Sequence, residues 1–264
     1  MNTREALADA ELRLAAAGVE TPRVDAEWLV AHVLGTTRSG LAGRGGDEVD
    51  DLEPLLARRE AREPLAYIIG EWGFRRLTLK TDARALVPRP ETELLVERCL
   101  ELLAETTSPR VADIGTGTGA IALALKQERP DARVVATDVS LDALALASEN
   151  QHATGLDIEL VEADLLAGVE GPFDLVVSNP PYVAEAELDQ LPKELAHEPQ
   201  QALVDRGQTE RLIDTARFGW LVLEVHEDRA HDVAARLAAA GYTDVRVSQD
   251  LAERDRIVEG RWTQ

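Results

Sequence analysis

The chain has 264 residues, of which 45% are hydrophobic, and this is enough for one large domain, or for one large and one small domain. It contains no run of about 18 apolar residues, and its charged start lacks the apolar stretch of a signal peptide, so we predict a cytoplasmic protein without a membrane-spanning segment. The net charge is −21; residues 81–264 hold 35 acidic and 17 basic side chains, whereas residues 1–80 hold 14 and 11. Such a surface repels phosphate backbones, which argues against nonspecific nucleic-acid binding.

Residues 1–70 are predicted to form a small helical domain. Asn2 and Glu5 match the capping box of a first helix. Pro22 stands at the first position of a second helix, and Pro54 lies in the first turn of a third. These start signals precede amphipathic stretches, as expected of helices that share a small core.

Residues 71–86 alternate like a strand pair and are predicted to be a β-hairpin linker to a larger domain at 87–264. In that domain, strands are predicted at seven stretches, with helices between the first five: 111–114, 133–137, 157–163, 174–178, 220–225, 245–248 and 256–260. Strand and helix in repetition indicate a mostly parallel sheet that is covered on both faces. Only a turn separates the last two strands, so an antiparallel hairpin is predicted to end the sheet.

The first strand of the large domain runs into a Gly-rich turn. Glycines at 115, 117 and 119 let the backbone approach a ligand, and a helix predicted to begin near Thr118 points its N–H groups at the same place. The segment also satisfies the G-x-G-x-x-A dinucleotide pattern, with Asp138 placed to bind a ribose. On this segment alone, an NAD enzyme and a turn that binds nothing both remain alternatives.

Two acidic residues favour S-adenosylmethionine (SAM) over a dinucleotide. Asp113 stands just before the glycines, where it would repel a pyrophosphate but can face the amino and sulfonium groups of SAM. Asp164 ends the third strand, near the expected adenine edge, although a solvated residue that caps the next segment is the alternative there.

The fourth strand ends in the stretch S178-N-P-P-Y182. Consecutive prolines cannot donate to a sheet, so the strand stops and Asn179 faces the ligand edge. The Asn179 oxygen and a carbonyl of the rigid Pro180-Pro181 pair can accept both hydrogens of a planar NH2 group, on which Tyr182 can stack. A turn that merely ends the strand is the alternative.

The nitrogen of an amide or exocyclic amine is a poor nucleophile because its lone pair is delocalised. A site of this kind would work mainly by alignment, with nitrogen, methyl carbon and sulfur held in line and the proton leaving after transfer. The same motif can grip an amide or a nucleobase.

Several stretches together resemble the peptide-chain-release-factor N5-glutamine methyltransferases (PrmC, formerly HemK). They are N179-P-P-Y, D113-I-G-T-G-T-G-A-I-A-L-A-L, R62-E-P-L-A-Y-I-I-G, L86-V-P-R-P-E-T-E-L-L-V-E, E198-P-Q-Q-A-L and D250-L-A-E-R-D-R-I-V-E-G-R. They span the chain nearly end to end. N-P-P-Y alone is shared with adenine and guanine N-methyltransferases, whereas the P-R-P-E-T-E block behind a helical domain is far more specific.

The resemblance implies a Rossmann-like SAM-dependent methyltransferase fold and methylation of the glutamine in the Gly-Gly-Gln motif of release factors, gripped by the helical domain. It places the cofactor contacts on Gly115, Thr116, Gly117, Thr118, Gly119, Asp138 and Asn179; Asp113, Asp164 and Leu165 are the further predicted cofactor-binding residues. It places the catalytic and substrate contacts on Asn179, Pro180, Pro181 and Tyr182, with Arg89 and Glu93 bordering the pocket. At Leu165 the family often has an aromatic residue, so adenine is expected to rest on an aliphatic side chain.

Some features depart from the family pattern, and one pair of histidines resembles a metal site. His226 stands where the family tends to have Gly, and the loops at 204–209 and 217–220 look trimmed. His226 and His231 are five residues apart and not the four of a zinc helix, so no metal is expected. Cys99 is predicted to be a core residue.

The expected partner is a release factor, with no stable nucleic-acid partner and a monomeric state. Two alternatives are a methyltransferase acting on a nucleobase amine and a binding protein that keeps the fold without turnover. The acidic charge argues against the first, and the intact Asn179 and Asp138 argue against the second.

Overall fold

The computed structural model describes residues 1–263, which divide into two compact units. The first unit comprises Met1–Glu71 together with the later segment Leu191–His197. The second comprises Trp72–Gln190 and the chain from Glu198 onward. The segment 191–197 was not part of the helical domain predicted from the sequence.

The first unit is helical. Its helices are α1 (Thr3–Ala16), α2 (Pro22–Val33), α3 (Leu52–Glu60) and α4 (Leu65–Ile69), with 3-10 turns at Ser39–Gly43 and Lys193–His197. The capping box is confirmed, because the Glu5 N–H donates to Asn2 Oδ1 at 3.0 Å and the Asn2 N–H donates to Glu5 Oε2 at 3.1 Å. Apolar side chains of α1, α2 and α3, among them Leu14, Leu29 and Leu56, form the core.

A buried ion-pair cluster joins the later segment to these helices. The Arg59 guanidinium, 7% exposed, donates to Asp25 Oδ2 at 2.7 Å and to Glu194 Oε1 at 2.9 Å. Arg62 donates to the same Glu194 carboxylate at 2.7 and 2.8 Å. Glu194 therefore holds the segment 191–197 in the helical unit.

The second unit contains a hairpin and a seven-stranded sheet. The hairpin strands are β1 (Glu71–Phe74) and β2 (Leu77–Lys80); the sheet strands are β3 (Arg110–Ile114), β4 (Arg133–Asp138), β5 (Glu159–Glu162), β6 (Leu175–Ser178), β7 (Trp220–Glu224), β8 (Thr243–Gln249) and β9 (Asp255–Arg261). The sheet order is β5-β4-β3-β6-β7-β9-β8. The first five strands in this order pair in parallel, and β9 runs antiparallel to both of its neighbours, which confirms the predicted terminal hairpin.

Helices cover both faces of the sheet. They are α5 (Pro90–Leu102), α6 (Ala120–Glu128), α7 (Leu141–Thr154), α8 (Gln200–Leu203), α9 (Gln208–Thr215) and α10 (Ala230–Ala240), with 3-10 turns at Glu185–Gln190 and Glu227–Arg229. One apolar layer contains residues of α5 and α6, and the other contains residues of α9 and α10. Cys99 lies fully buried in the first layer, as predicted.

One local prediction was wrong. No helix connects β5 to β6: residues 163–174 form a turn and irregular chain, since Gly168, Gly171 and Pro172 interrupt a short stretch. The helix predicted to begin near Thr118 is present as α6, which begins at Ala120 after Gly119, its N-cap residue, with φ +83°. None of the helices among the described residues is long and apolar enough to cross a membrane.

Candidate active site

The strands that precede the glycine turn, Asp138 and Asn179 all end at one edge of the sheet. Because β4, β3, β6 and β7 are neighbours and parallel, their carboxyl ends lie at the same edge. Ile114 at the end of β3 pairs with Ser178 at the end of β6, and the Ser178 hydroxyl donates to the Ile114 carbonyl at 2.7 Å. The glycine turn and Asn179, each directly after one of these residues, therefore lie side by side.

Backbone hydrogen bonds hold the glycine turn against the end of β4. The N–H groups of Gly115 and Thr116 donate to the Thr137 carbonyl at 2.8 and 2.9 Å. All three glycines have positive φ, between +56° and +83°. At Gly119 a Cβ would lie 3.2 Å from Leu123 Cδ1 and 3.3 Å from Ala147 Cβ, so a side chain there would force those neighbours to shift.

Asp113 lies behind this turn and is fully buried. Its Oδ2 accepts from the Thr116 hydroxyl at 2.6 Å and from the Ala122 N–H at 3.1 Å, whereas Oδ1 is buried with no hydrogen-bond partner among the described residues. Burial, with a smaller contribution from the charge of Asp138, raises the pKa of Asp113 to about 7. An unpaired buried carboxylate oxygen fits a cationic ligand such as the amino group of SAM and would repel a pyrophosphate.

Asp138 ends β4 and faces the same turn. Its two oxygens accept from the Gly117 N–H at 3.0 Å and from the Ser140 N–H at 2.9 Å. Burial raises its pKa, and those two N–H donors oppose the rise. Each oxygen keeps a further lone pair that could accept from a ribose hydroxyl.

The two residues predicted at the adenine edge lie after β5. Asp164 is exposed and pairs with Arg211 at 2.7 Å. Leu165 is partly buried with φ +57°, and its carbonyl accepts from the Thr137 hydroxyl at 3.0 Å. The backbone of Leu165 is thus bound to β4, while contact of either side chain with adenine stays a prediction. Thr118 is buried, and its carbonyl accepts from Asn150 Nδ2 at 2.9 Å.

The N-P-P-Y stretch follows β6 directly. Asn179 Nδ2 donates to Thr92 Oγ1 at 3.2 Å, which leaves Asn179 Oδ1 as an acceptor. Pro180 is buried and Pro181 is half-buried. The Tyr182 ring lies 6.0 Å from the His226 ring, centroid to centroid, and burial raises the pKa of the Tyr182 hydroxyl. The strand end therefore presents the oxygen of a held amide between rigid prolines and an aromatic ring.

Arg89 and Glu93 already have partners within the second unit. Arg89 pairs with Glu198, whose side chain is fully buried and also accepts from the Val87 N–H at 3.0 Å. Glu93 Oε1 accepts from the Arg75 N–H at 3.0 Å, in the turn of the hairpin. The two bonds of Glu198 connect two of the quoted motifs, L86-V-P-R-P-E-T-E and E198-P-Q-Q-A-L. Contact of either side chain with a substrate stays a prediction.

Two buried polar residues beside Asn179 were not singled out as site residues from the sequence. Thr92 and Glu224 are 5% and 4% exposed. Burial raises the pKa of Glu224 to about 7, and the side chains of Thr92 and Asn179 both approach its carboxyl and oppose the rise. The sequence held one signal for Glu224, its position at the end of the strand next to β6. Thr92 gave no signal of its own within the P-R-P-E-T-E block.

Among the side chains that the structure describes, no three His, Cys, Asp or Glu lie close enough together to hold a metal ion. His226 stands beside Tyr182, and His231 Nε2 lies 3.2 Å from Asp255 Oδ2. The two histidines thus have separate surroundings.

A glycine turn backed by the buried Asp113 and the half-buried Asp138, next to a strand end that offers acceptors to an NH2 group, places the chain in the class of SAM-dependent methyltransferases. Comparison with known proteins agrees. The family model "Methyltransferase small domain" matches residues 90–216, and "PrmC N-terminal domain" matches residues 5–70. The chain is 45% identical to the release factor glutamine methyltransferase of Deinococcus radiodurans, over 99% of both chains. With the protein of that name from Escherichia coli K12 it is 38% identical, over 93% of this chain and 94% of the other.

The chain therefore belongs to the release factor glutamine methyltransferase family. Among solved structures, the catalytic domain of hMettl16 in complex with MAT2A 3'UTR hairpin 1 is similar, with a TM-score of 0.59, 17% identity and 85% of both chains covered. At that identity the likeness shows a shared fold alone.

Proposed function

We propose that this chain transfers the methyl group of SAM to the side-chain amide nitrogen (N5) of the glutamine in the Gly-Gly-Gln motif of release factors. The observation that carries the proposal is the Asn179 amide, whose Nδ2 is bound by Thr92 at 3.2 Å, so that Oδ1 is left for the substrate. Near full-length relatives named for this activity, at 38 to 45% identity, support the same substrate.

The contribution of the chain is alignment. SAM, when bound, supplies an electrophilic methyl group on sulfur. Asn179 Oδ1 and the Pro180 carbonyl accept the two amide hydrogens, and the Tyr182 ring stacks on the flat amide. Acceptors on both hydrogens raise the electron density on nitrogen, and no strong base is needed beforehand because the nitrogen becomes acidic once it is methylated.

The remaining contacts belong to the same proposal. Asp113, Asp138 and the turn Gly115–Gly119 hold the cofactor, Asp164 and Leu165 border its adenine, and Arg89 and Glu93 border the substrate pocket. The helical domain, with limits at 1–70, grips the release factor; 71–86 is the linker and 87–264 the catalytic domain. We further propose a monomer that acts in the cytoplasm.

The test is incubation with labelled SAM and a release factor, in parallel with the variant of that factor in which the motif glutamine is replaced by alanine. We expect one methyl group on the glutamine-containing peptide and none in the variant, as measured by mass spectrometry. Equal label in both factors, or label only in added RNA, would contradict the proposal, and the second outcome would favour the nucleobase alternative.

A further inference from the structure

Glu224 and Asn179 end neighbouring strands in register. Leu223 of β7 pairs with Ser178 of β6, so the next residue on each strand, Glu224 and Asn179, stands at the same edge. The Glu224 side chain is nevertheless buried, and its Oε2 has no hydrogen-bond partner among the described residues. A buried carboxyl group is costly, so its place beside the amide acceptor requires a reason.

Thr92 contacts both groups, and Asn179 also approaches the Glu224 carboxyl directly. It belongs to the first turn of α5, and its Oγ1 accepts from Asn179 Nδ2 at 3.2 Å. A threonine hydroxyl has one proton to donate. When the Glu224 carboxylate accepts that proton, only lone pairs of Thr92 remain to face Asn179. The amide must then turn its NH2 group to Thr92 and its oxygen away.

We propose that Thr92 and Glu224 are positioning residues that orient the Asn179 amide with Oδ1 toward the glutamine NH2 group. This inference rests on the function proposed above, and it concerns residues that do not themselves touch the reacting atoms. The direction of the hydrogen bonds is what matters: Glu224 accepts from Thr92 and from the Asn179 NH2 group, and Thr92 accepts from Asn179.

The charged neighbours of Glu224 decide whether it can stay an acceptor. Glu91 of α5 raises its pKa, Arg256 of β9 lowers it, and the Tyr182 hydroxyl is the other titratable group nearby. With a pKa of about 7, the carboxyl becomes protonated below neutrality and can then donate to Thr92. Methyl transfer should therefore fall as the pH falls through the pKa of Glu224.

Glu224→Gln provides the sharpest test, because it keeps the shape but gives Thr92 an NH2 donor that can reverse these hydrogen bonds. Thr92→Val removes the acceptor, and Thr92→Ser restores it. We expect the first two variants to lose about 100-fold in kcat, with SAM affinity within about threefold and unchanged circular dichroism. Thr92→Ser should stay within about fivefold of the wild type, as should Glu97→Gln, an exposed carboxylate control on the same helix.

The pH profile and the amide itself give readouts that a merely structural role would not change. The acidic limb of kcat near neutrality should be smaller in Glu224→Gln than in the wild type and in Glu97→Gln. In nuclear magnetic resonance spectra, the Asn179 side-chain NH2 protons should exchange slowly in the wild type and fast in Thr92→Val. Wild-type kcat in Glu224→Gln and Thr92→Val, or equal exchange rates, would overturn the inference. A wild-type protein inactive on release factors would instead contradict the proposed function, while the exchange measurement still tests the orientation of Asn179.

Discussion

Single side chains show how few groups define this site. Asn179 combines a fixed donor and an available acceptor, and the prolines after it keep the chain rigid. The contact with Thr92 gives a definite orientation to an amide that the sequence could place only at a strand end. The Pro-Pro pair therefore matters because it fixes the backbone on which this oriented amide stands.

The first prediction concerns Asn179→Ala. The substitution removes an acceptor for the substrate NH2 group but leaves the glycine turn, Asp113 and Asp138 in place. We expect methyl transfer to fall below detection while the Kd for SAM changes by less than about tenfold, since alignment is the main loss. Single-turnover assays and calorimetric SAM titration measure the two effects. Retained turnover would show that the amide clamp is wrong.

The second prediction concerns Asp113 and pH. Its folded-state pKa of about 7 lies above the usual 3.8, so the folded state holds its proton more tightly than the unfolded state. This contribution to stability is complete below the unfolded pKa and is lost as the pH rises through the folded pKa. Relative to Asp113→Asn, the wild type should lose about 3 kcal/mol in its free energy of unfolding between pH 5 and pH 8.

Urea denaturation of both proteins without SAM, at several pH values, checks this difference. The asparagine can still accept from Thr116 and from the Ala122 N–H, so the comparison isolates the titrating proton. A difference between the two proteins that does not vary with pH would contradict the raised pKa.

At the scale of strands and helices, the site side chains are positioned by local turns that the sequence already indicates. The turn before α6 is an example: Gly119 takes positive φ, and its Cα faces Leu123 and Ala147. The positive φ and the close neighbours both favour glycine at this position.

The third prediction follows for Gly119→Ala. A Cβ at 3.2 Å from Leu123 Cδ1, in a left-handed conformation, should lower the free energy of unfolding by about 1 to 3 kcal/mol. SAM affinity should fall as well, because the turn must shift. Gly73→Ala is the control, since its Cβ would meet nothing within 4 Å and its φ is not positive. Equal stability of the two variants, measured in urea, would disprove the steric argument.

The fourth prediction concerns the ion pairs of the helical unit. Arg59→Met leaves the buried Asp25 carboxylate without its ionic partner, which should cost about 3 to 5 kcal/mol. Arg23→Met is the matched control, because that arginine is half exposed and its loss should cost less than about 1 kcal/mol. Amide hydrogen exchange in α2 and α3 reports the stability of this unit directly. Similar exchange in both variants would mean that the buried pair contributes little.

The distribution of charge belongs to the whole chain and bears on the choice of substrate. Of the 21 excess negative charges, 18 lie in residues 81–264, the part that contains the N-P-P-Y stretch. The structural likeness to the hMettl16 catalytic domain shows only that the fold is shared. The charge and the family both favour a protein substrate.

The fifth prediction is that RNA does not compete. A large excess of transfer RNA should change the initial rate of release-factor methylation by less than about twofold at physiological salt, because an acidic surface repels phosphates. The same assay at low salt is the control, since electrostatic competition would be strongest there. Inhibition by RNA that weakens as salt is added would indicate a basic patch and reopen the nucleobase alternative.

Local signals predicted much of this molecule. The capping box at Asn2, the glycine turn, the seven strands and the terminal hairpin depend on neighbouring residues or on short periodic patterns, and all appear in the structure. The helix expected between β5 and β6 is absent, because two glycines and a proline interrupt the apolar stretch around Leu165. The short-range pattern did not account for these helix-breaking residues. The family resemblance, also a property of the sequence, is confirmed by near full-length relatives.

Only the tertiary structure decided which distant groups meet. Glu194 joins Arg59 and Arg62 across more than 130 positions, Glu198 joins Arg89, and Thr92 meets Asn179 across 87. No local pattern encodes such pairs, because the chain between their members sets neither distance nor direction until the sheet and helices are packed. The amino-acid sequence by itself therefore determined which residues could form the site and where the strands end. Packing determined the orientation of the Asn179 amide, because an amide turns according to the donors and acceptors that folding brings to it.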